Sequence, residues 1–198
     1  MFTAGNDDRV ERFADALVYT SRVHELQRRK GTEIPYLAHL LAVASLVLED
    51  GGDEDEAIAG LLHDAIEDTD VTFDDLTARF GPKVAEIVQG CSDTDVKPKP
   101  PWRARKEAYL AHLIDARPEV VRVSLADKVH NARSVLFDYR LMGEELWARF
   151  NPDADQLWYY RSLVEVFRRV SRSPLVDELD RVVTELEGLA RHAPDTDM

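Results

Sequence analysis

Apolar side chains recur every three or four residues along most of the chain, the spacing that places them on one face of an α-helix. No segment bounded by turn residues alternates apolar and polar positions with period two, although the run V-V-R-V-S-L is briefly strand-like. The pattern therefore predicts an all-α fold. The predicted helices cover residues 7–29, 36–49, 57–70, 73–80, 82–88, 102–113, 118–133, 156–170 and 174–190.

Capping and helix-breaking residues mark several of these boundaries. Gly31, which follows three basic residues, is typical of the end of a helix, and Pro35 is typical of the start of the next. Thr72 suits the N-cap of a short helix that Gly81 ends, and Pro82 opens another. Further starts are predicted at Pro118 and Ser173-Pro174, and the apolar positions of the first helix are Val10, Phe13, Ala14, Leu17, Val18 and Leu26.

The length and composition suit one globular domain over residues 1–198, built as a helical bundle. Its core is expected over about residues 7–170, followed by a C-terminal helix over about 174–190 and a frayed tail at 193–198. Hydrophobic residues make up 44% of the chain, but no apolar stretch approaches the ~20 residues that span a bilayer. The N-terminus also lacks a signal-peptide pattern, so we expect a cytoplasmic protein without a membrane partner.

The formal net charge of -13 argues against nucleic-acid binding, which needs a basic surface. A local cluster of cations could still hold a small anion. The sequence around the proline-rich stretch 91–101 carries such cations, which are either solvated or close over an anionic ligand: Lys97, Lys99, Arg103, Arg105 and Lys106. The single cysteine, Cys91, excludes an intramolecular disulfide, as expected in a reducing compartment.

Four polar residues, His63, Asp64, Glu67 and Asp68, share one face of the helix predicted over residues 57–70. They could simply form its solvated side. Alternatively, an imidazole nitrogen and a carboxylate oxygen suit a divalent transition ion, and carboxylates one turn away could handle the protons of a water molecule. Two adjacent ligands cannot complete a coordination sphere, so a metal site needs further ligands from elsewhere.

Two residues on other predicted helices could supply those ligands. His39 interrupts an apolar run and is either a structural histidine or a ligand. Asp127 lies in apolar sequence, so its carboxylate needs either a salt bridge or a metal ion, and Asn131 shares its helix face. His24 is expected to be a surface or hydrogen-bonded histidine, and three further polar residues could be ordinary surface side chains: Lys128, His130 and Arg133.

His39, the pair His63-Asp64 and Asp127, in that order on three predicted helices, resemble the ligand set of the HD-domain metal phosphohydrolases. Over about residues 7–170 the chain resembles more narrowly the hydrolase domain of RelA/SpoT proteins and the stand-alone small alarmone hydrolases. The matching segments are R-R-K, P-Y-L-A-H, L-L-H-D-A-I-E-D-T, F-G-P-K-V and S-L-A-D-K-V-H-N-A-R.

This resemblance implies a single HD-domain helical bundle that removes the 3′-pyrophosphate of guanosine tetra- or pentaphosphate. It implies one divalent ion, typically Mn²⁺ with Fe²⁺ or Zn²⁺ as alternatives, held by His39, His63, Asp64 and Asp127. It also implies that Glu67 and Asp68 position or deprotonate the attacking water. The residues that it assigns to the nucleotide are Arg29, Lys30, Tyr36 and Asn131.

Two other functions stay open at this stage. A nucleotide phosphatase of the same fold would release a single phosphate from an adenine alarmone or a dinucleotide phosphate. A non-catalytic protein would bind an alarmone without cleaving it, although the Glu67-Asp68 pair argues against that function. The sequence leaves open whether the protein is a homo-oligomer.

Overall fold

A computed structural model describes residues 7–92 and 100–192, with side chains from residue 11 onward. Lys97, Lys99 and the tail at 193–198 lie outside the described residues. The described chain is helical and contains one isolated β-bridge, between Arg28 and Pro35. Its helices are α1 (Asp7–Val23), α2 (Leu37–Glu49), α3 (Glu54–Leu62), α4 (Ala65–Asp68), α5 (Phe73–Phe80), α6 (Pro82–Cys91), α7 (Trp102–Asp115), α8 (Pro118–Met142), a 3-10 helix (Gly143–Arg149), α9 (Gln156–Val170) and α10 (Pro174–Arg191).

Local capping explains why several boundaries match the sequence prediction. The side chains of Thr72 and Asp75 form a capping box at the start of α5, which satisfies backbone N–H groups of the first turn. Gly81 separates α5 from α6 with φ 93°, a conformation that favours glycine, and Pro82 then occupies the first turn of α6. Ser173 accepts a hydrogen bond from Leu175 N at the start of α10.

The predicted first helix is wrong at its C-terminal end, because α1 stops at Val23. Residues 24–35 form a loop whose ends pair through the Arg28–Pro35 bridge, while Gly31 takes φ 71°. The predicted apolar face is also wrong in part, since Leu26 is 88% exposed and Val18 46% exposed. The fully buried positions of α1 and the following turn are Ala16, Thr20 and His24.

Helix α8 is the central element of the bundle. It is buried along most of its first half and packs against α2, α3, α6, α9 and α10. It continues to Met142, beyond the end predicted at residue 133, and Gly143 at φ 60° ends it. The buried apolar residues form one cluster shared by helices from α1 to α10. None of the helices in the described ranges is both long and apolar enough to cross a membrane.

A close approach of α2 and α3 brings two of the candidate ligands together. Gly60 faces Ala44 so closely that an added Cβ would lie 3.2 Å from the Cα of Ala44. A larger side chain at this position would therefore push the two helices apart. His39 lies in the first turn of α2 and His63 is the C-cap of α3, and their ring centroids are 5.2 Å apart.

Candidate metal centre and adjoining cavity

Side chains from three helices converge at one point beside α8. His39 comes from α2, His63 and Asp64 from the junction of α3 and α4, and Asp127 from α8. His39 Nε2 lies 3.3 Å from Asp127 Oδ1, and His63 Nε2 lies 3.0 Å from Asp64 Oδ2. The crossed distances are 3.8 Å from His39 Nε2 to Asp64 Oδ2 and 3.7 Å from His63 Nε2 to Asp127 Oδ1. The structure thus brings together all four residues of the candidate ligand set.

The prediction of one continuous helix over residues 57–70 is wrong, because the helix is interrupted at His63 and Asp64. His63 ends α3, Asp64 takes φ -100° and ψ 0°, and the four-residue helix α4 follows. Two neighbouring residues of a continuous helix point about 100° apart. Here the ligand atoms of the two neighbours approach to 3.0 Å, between His63 Nε2 and Asp64 Oδ2.

The donor atoms of the cluster fit a divalent ion. The Nε2 atoms of His39 and His63 are buried and form no hydrogen bond of suitable geometry, although carboxylate oxygens lie 3.3 Å and 3.0 Å from them. The other ring nitrogen of His63 is 2.8 Å from Gly60 O and donates to it, so its Nε2 lone pair faces the carboxylates. Buried unpaired nitrogens are costly. Two imidazole nitrogens and two carboxylate oxygens are suitable ligands for a transition-metal ion.

Neighbouring side chains orient the two carboxylates. The Tyr36 hydroxyl donates to Asp64 Oδ2, and Asn131 Nδ2 donates to Asp127 Oδ1. Lys128 Nζ lies 2.5 Å from the other oxygen of Asp127. Burial opposes the charged form of Asp127, but the Lys128 ammonium and the hydrogen bonds to the carboxylate lower its pKa well below the usual range. Asp127 therefore combines a salt bridge on one oxygen with a candidate ligand position on the other.

His130 is the clearest residue that the sequence interpretation missed. Its Nδ1 lies 2.7 Å from His39 Nδ1. Burial and repulsion by His39 lower the pKa of His130 to about 4, so its imidazole is neutral near pH 7 and can accept the Nδ1–H of His39. The prediction that His130 and Lys128 are ordinary surface residues is wrong. His130 lies three residues after Asp127, a spacing that makes the two neighbours on the surface of α8.

Glu67 and Asp68, on α4, line a depression that also includes Gln27. Gln27 Nε2 donates to Asp68 Oδ2 at 2.8 Å. Desolvation and the nearby Asp64 carboxylate raise the pKa of Asp68. A carboxyl group with a raised pKa next to a metal-ligand cluster suits proton transfer at moderate pH.

A cavity of about 1030 Å³ reaches His39 and the side chains that support the other candidate ligands. This volume is large enough for a nucleotide. All four residues assigned to a nucleotide by resemblance line it: Arg29, Lys30, Tyr36 and Asn131. Arg29 Nη2 donates to Asn131 Oδ1 at 3.0 Å, which joins the loop after α1 to α8. Of the described cations near the proline-rich stretch, Lys106 lines the cavity as well, together with Trp102.

The cavity wall is basic although the whole chain is acidic. Eight of its described lining residues are Lys or Arg, against three carboxylates. Those three carboxylates pair with arginines away from the ligand cluster, as in the pairs Arg133–Glu178, Arg140–Glu185 and Arg149–Asp138. Arg29 instead contacts the amide of Asn131 and lies near the Tyr36 ring. An anion is therefore best accommodated near Arg29.

Comparison with known proteins gives matches over most of this region. The family profile described as the HD domain matches residues 16–150. SpoT of Escherichia coli K12, described as a bifunctional (p)ppGpp synthase/hydrolase, is 37% identical over 137 residues, which are 65% of this chain and 19% of SpoT. MESH1 of Xenopus tropicalis, described as a guanosine-3′,5′-bis(diphosphate) 3′-pyrophosphohydrolase, is 36% identical over 124 residues, which are 61% of this chain and 68% of MESH1.

The solved structures agree with these sequence matches. A structure reported as a metazoan ortholog of SpoT that hydrolyzes ppGpp has a TM-score of 0.73 and 26% identity, covering 90% of this chain and 96% of that one. The chain spans about a fifth of the length of the bacterial SpoT relative. The likeness to SpoT therefore concerns one part of a longer protein.

Proposed function

The chain belongs to the HD-domain family, and on that premise we propose that it removes the 3′-pyrophosphate from guanosine tetra- or pentaphosphate. One observation carries the proposal: four candidate metal ligands, two of them with unpaired buried nitrogens, adjoin a basic cavity of nucleotide size. The names of the similar MESH1 and SpoT proteins support the choice of substrate.

His39, His63, Asp64 and Asp127 are the residues that would hold one divalent ion, and we propose Mn²⁺, with Fe²⁺ or Zn²⁺ as alternatives. A mixed set of nitrogen and oxygen ligands without thiolate favours such ions. When bound, the ion polarises a phosphoryl oxygen and stabilises the charge that develops during the reaction.

The chain's own residues supply the remaining chemistry. We assign Glu67 and Asp68 to the attacking water, which they position and deprotonate while the bond between phosphorus and the 3′ oxygen breaks. Arg29 and Lys30 neutralise phosphate charge at the cavity wall. Tyr36 lines the pocket beside Asp64, and Asn131 is placed to contact the sugar.

We also propose that the described helices act as one HD domain, because α1 and α10 share one apolar cluster with the site-bearing helices. A nucleotide substrate and a single cysteine both suit the cytoplasm, the compartment that we propose for the reaction. Cell fractionation checks the compartment.

Product analysis with several nucleotides tests the reaction. Metal-reconstituted protein is incubated with guanosine tetraphosphate, its adenine counterpart and a dinucleotide phosphate, and the released phosphorus species are identified. Pyrophosphate release that is fastest from the guanine nucleotide supports the proposal. Orthophosphate as the main product would indicate a phosphatase instead, and binding without turnover would indicate an alarmone-binding protein.

A further inference from the structure

A short chain of hydrogen bonds connects a buried histidine to Asp68. His24 is 3% exposed, and its Nδ1 lies 2.5 Å from Gln27 Oε1. The amide nitrogen of the same glutamine, Nε2, lies 2.8 Å from Asp68 Oδ2. Gln27 is thus the single bridge between His24 and Asp68.

The chemistry of the three groups allows only one arrangement of protons when Asp68 is ionised. A carboxylate only accepts hydrogen bonds, so Gln27 must turn its NH₂ group toward Asp68. Its carbonyl oxygen then faces His24, which must carry a proton on Nδ1 to donate to it. His24 therefore fixes the orientation of the Gln27 amide, and the amide in turn fixes one oxygen of Asp68.

The backbone of Gln27 is held as firmly as its side chain. Gln27 N donates to His24 O, and Tyr36 N donates to Gln27 O, both at 3.0 Å. The second contact ties Gln27 to the start of α2, close to the metal-ligand candidate His39. Asp68, by contrast, is the last residue of α4, which is only four residues long. Asp68 N donates to Asp64 O at 2.9 Å, so the backbone is hydrogen-bonded at both ends of the Gln27–Asp68 contact.

We propose that Gln27, oriented by His24, is a positioning residue that holds the Asp68 carboxylate in the orientation required to accept a proton. The inference rests on the proposed role of Asp68 and extends it to residues that do not touch the reacting atoms. A carboxylate accepts a proton efficiently only when it is held in the productive orientation. A carboxylate that rotates freely spends much of its time in orientations from which it cannot accept the proton. The structure provides that restraint through the Gln27 amide.

The kinetic test replaces Gln27 by methionine, which is similar in length but cannot form either hydrogen bond. With guanosine tetraphosphate and saturating Mn²⁺, Gln27→Met should lower kcat about tenfold and leave KM unchanged. Gln27→Glu keeps an oxygen for His24 but repels Asp68, so it should lower kcat at least as much. Gln89→Met, on the exposed side of α6, is the matched control and should match the unsubstituted protein.

Combining Gln27→Met with Asp68→Asn separates positioning from a general structural effect. If Gln27 acts through Asp68, the double variant should have the same kcat as Asp68→Asn alone. Independent, multiplicative losses, or a Gln27→Met variant with unchanged kcat, would overturn the inference.

A double-mutant cycle of chemical unfolding makes the test independent of the proposed reaction. It compares the unsubstituted protein, Gln27→Met, Asp68→Asn and the double variant. Non-additive changes in unfolding free energy support a direct Gln27–Asp68 contact, and additive changes contradict it. If the unsubstituted protein turns over no alarmone while this cycle is non-additive, the proposed function fails and the contact stands. If turnover is normal and the cycle is additive, the positioning role fails alone.

Discussion

The Nδ1 atoms of His39 and His130 lie 2.7 Å apart, so one of the two rings donates its Nδ1 proton to the other. Burial and the neighbouring histidine lower the pKa of His130 to about 4, so its ring is neutral near pH 7 and can accept. When His39 is the donor, its Nε2 lone pair points toward Asp127 and Asp64. The contact with His130 therefore stabilises the tautomer of His39 that can bind a metal ion.

Replacing His130 by phenylalanine should weaken metal binding without unfolding the protein. Loss of a residue that orients a metal ligand typically costs about 10–100-fold in metal affinity. Titration of metal-free protein with Mn²⁺, followed by electron paramagnetic resonance, measures the change. His192→Phe, at the exposed end of α10, is the control and should bind Mn²⁺ normally. An unchanged affinity for His130→Phe would show that the contact does not support the site.

Replacing Arg29 by methionine should raise KM for guanosine tetraphosphate at least about tenfold and should weaken the salt dependence of KM. The Arg29 guanidinium lines the cavity and donates a hydrogen bond to the neutral amide of Asn131 rather than to a carboxylate. Its positive charge is therefore available to a phosphate. Steady-state kinetics at several salt concentrations check both effects. Arg172→Met, on the exposed linker before α10, should change neither quantity. Equal effects of the two substitutions on KM would show that Arg29 does not bind the nucleotide.

Replacing Gly31 by alanine should destabilise the loop that carries Arg29 and Lys30. Gly31 has φ 71°, which costs an L-residue about 1–2 kcal/mol, and its new Cβ would lie 2.8 Å from Arg149 Cδ. Thermal unfolding and KM should both report the change. Gly188→Ala, inside α10 with open space around its Cβ, should instead stabilise the protein by about 0.5–1 kcal/mol. If Gly31→Ala is as stable as the unsubstituted protein, the loop does not require this conformation.

The Asp68 carboxyl should titrate above the range of an ordinary aspartate in the metal-free protein. Desolvation together with the Asp64 and Glu67 carboxylates raises its pKa, while Gln27 and His24 oppose the rise. Titration of metal-free protein followed by nuclear magnetic resonance should therefore give Asp68 a pKa above about 3.9. Gln27→Met should raise that pKa further, because the hydrogen bond that stabilises the charged form is lost. A pKa of Asp68 that Gln27→Met leaves in place would contradict the contact.

Local sequence signals predict much of the helical arrangement. Thr72, Gly81, Pro82, Pro118 and Ser173 each determine the conformation of their own neighbourhood, and the helix boundaries next to them lie where the sequence predicts. The end of α1 was not predictable in this way, because the basic run before Gly31 has the composition of a helix end. Its actual conformation depends on the bridge to Pro35 and the packing of Gly31 on Arg149.

The candidate ligands were predicted from a family resemblance that rests on their order along the chain, whereas the residues that support them were not predicted. His130 contacts His39 across 91 positions, and Gln27 contacts Asp68 across 41. Such pairs depend on how α8 packs against α2 and where the loop after α1 folds back. The break between His63 and Asp64 was hidden for a related reason, since the surrounding apolar pattern is compatible with one continuous helix.

The proposed reaction is tested most directly by the products that Mn²⁺-loaded protein forms from guanosine tetraphosphate, alongside Asp64→Ala. Phosphorus-31 nuclear magnetic resonance identifies the released species, and elemental analysis gives the bound metal. We expect pyrophosphate and guanosine diphosphate in equal amounts, with both turnover and bound metal lost in Asp64→Ala. Metal-loaded protein that leaves the nucleotide intact, or that releases only orthophosphate, would contradict the proposed reaction.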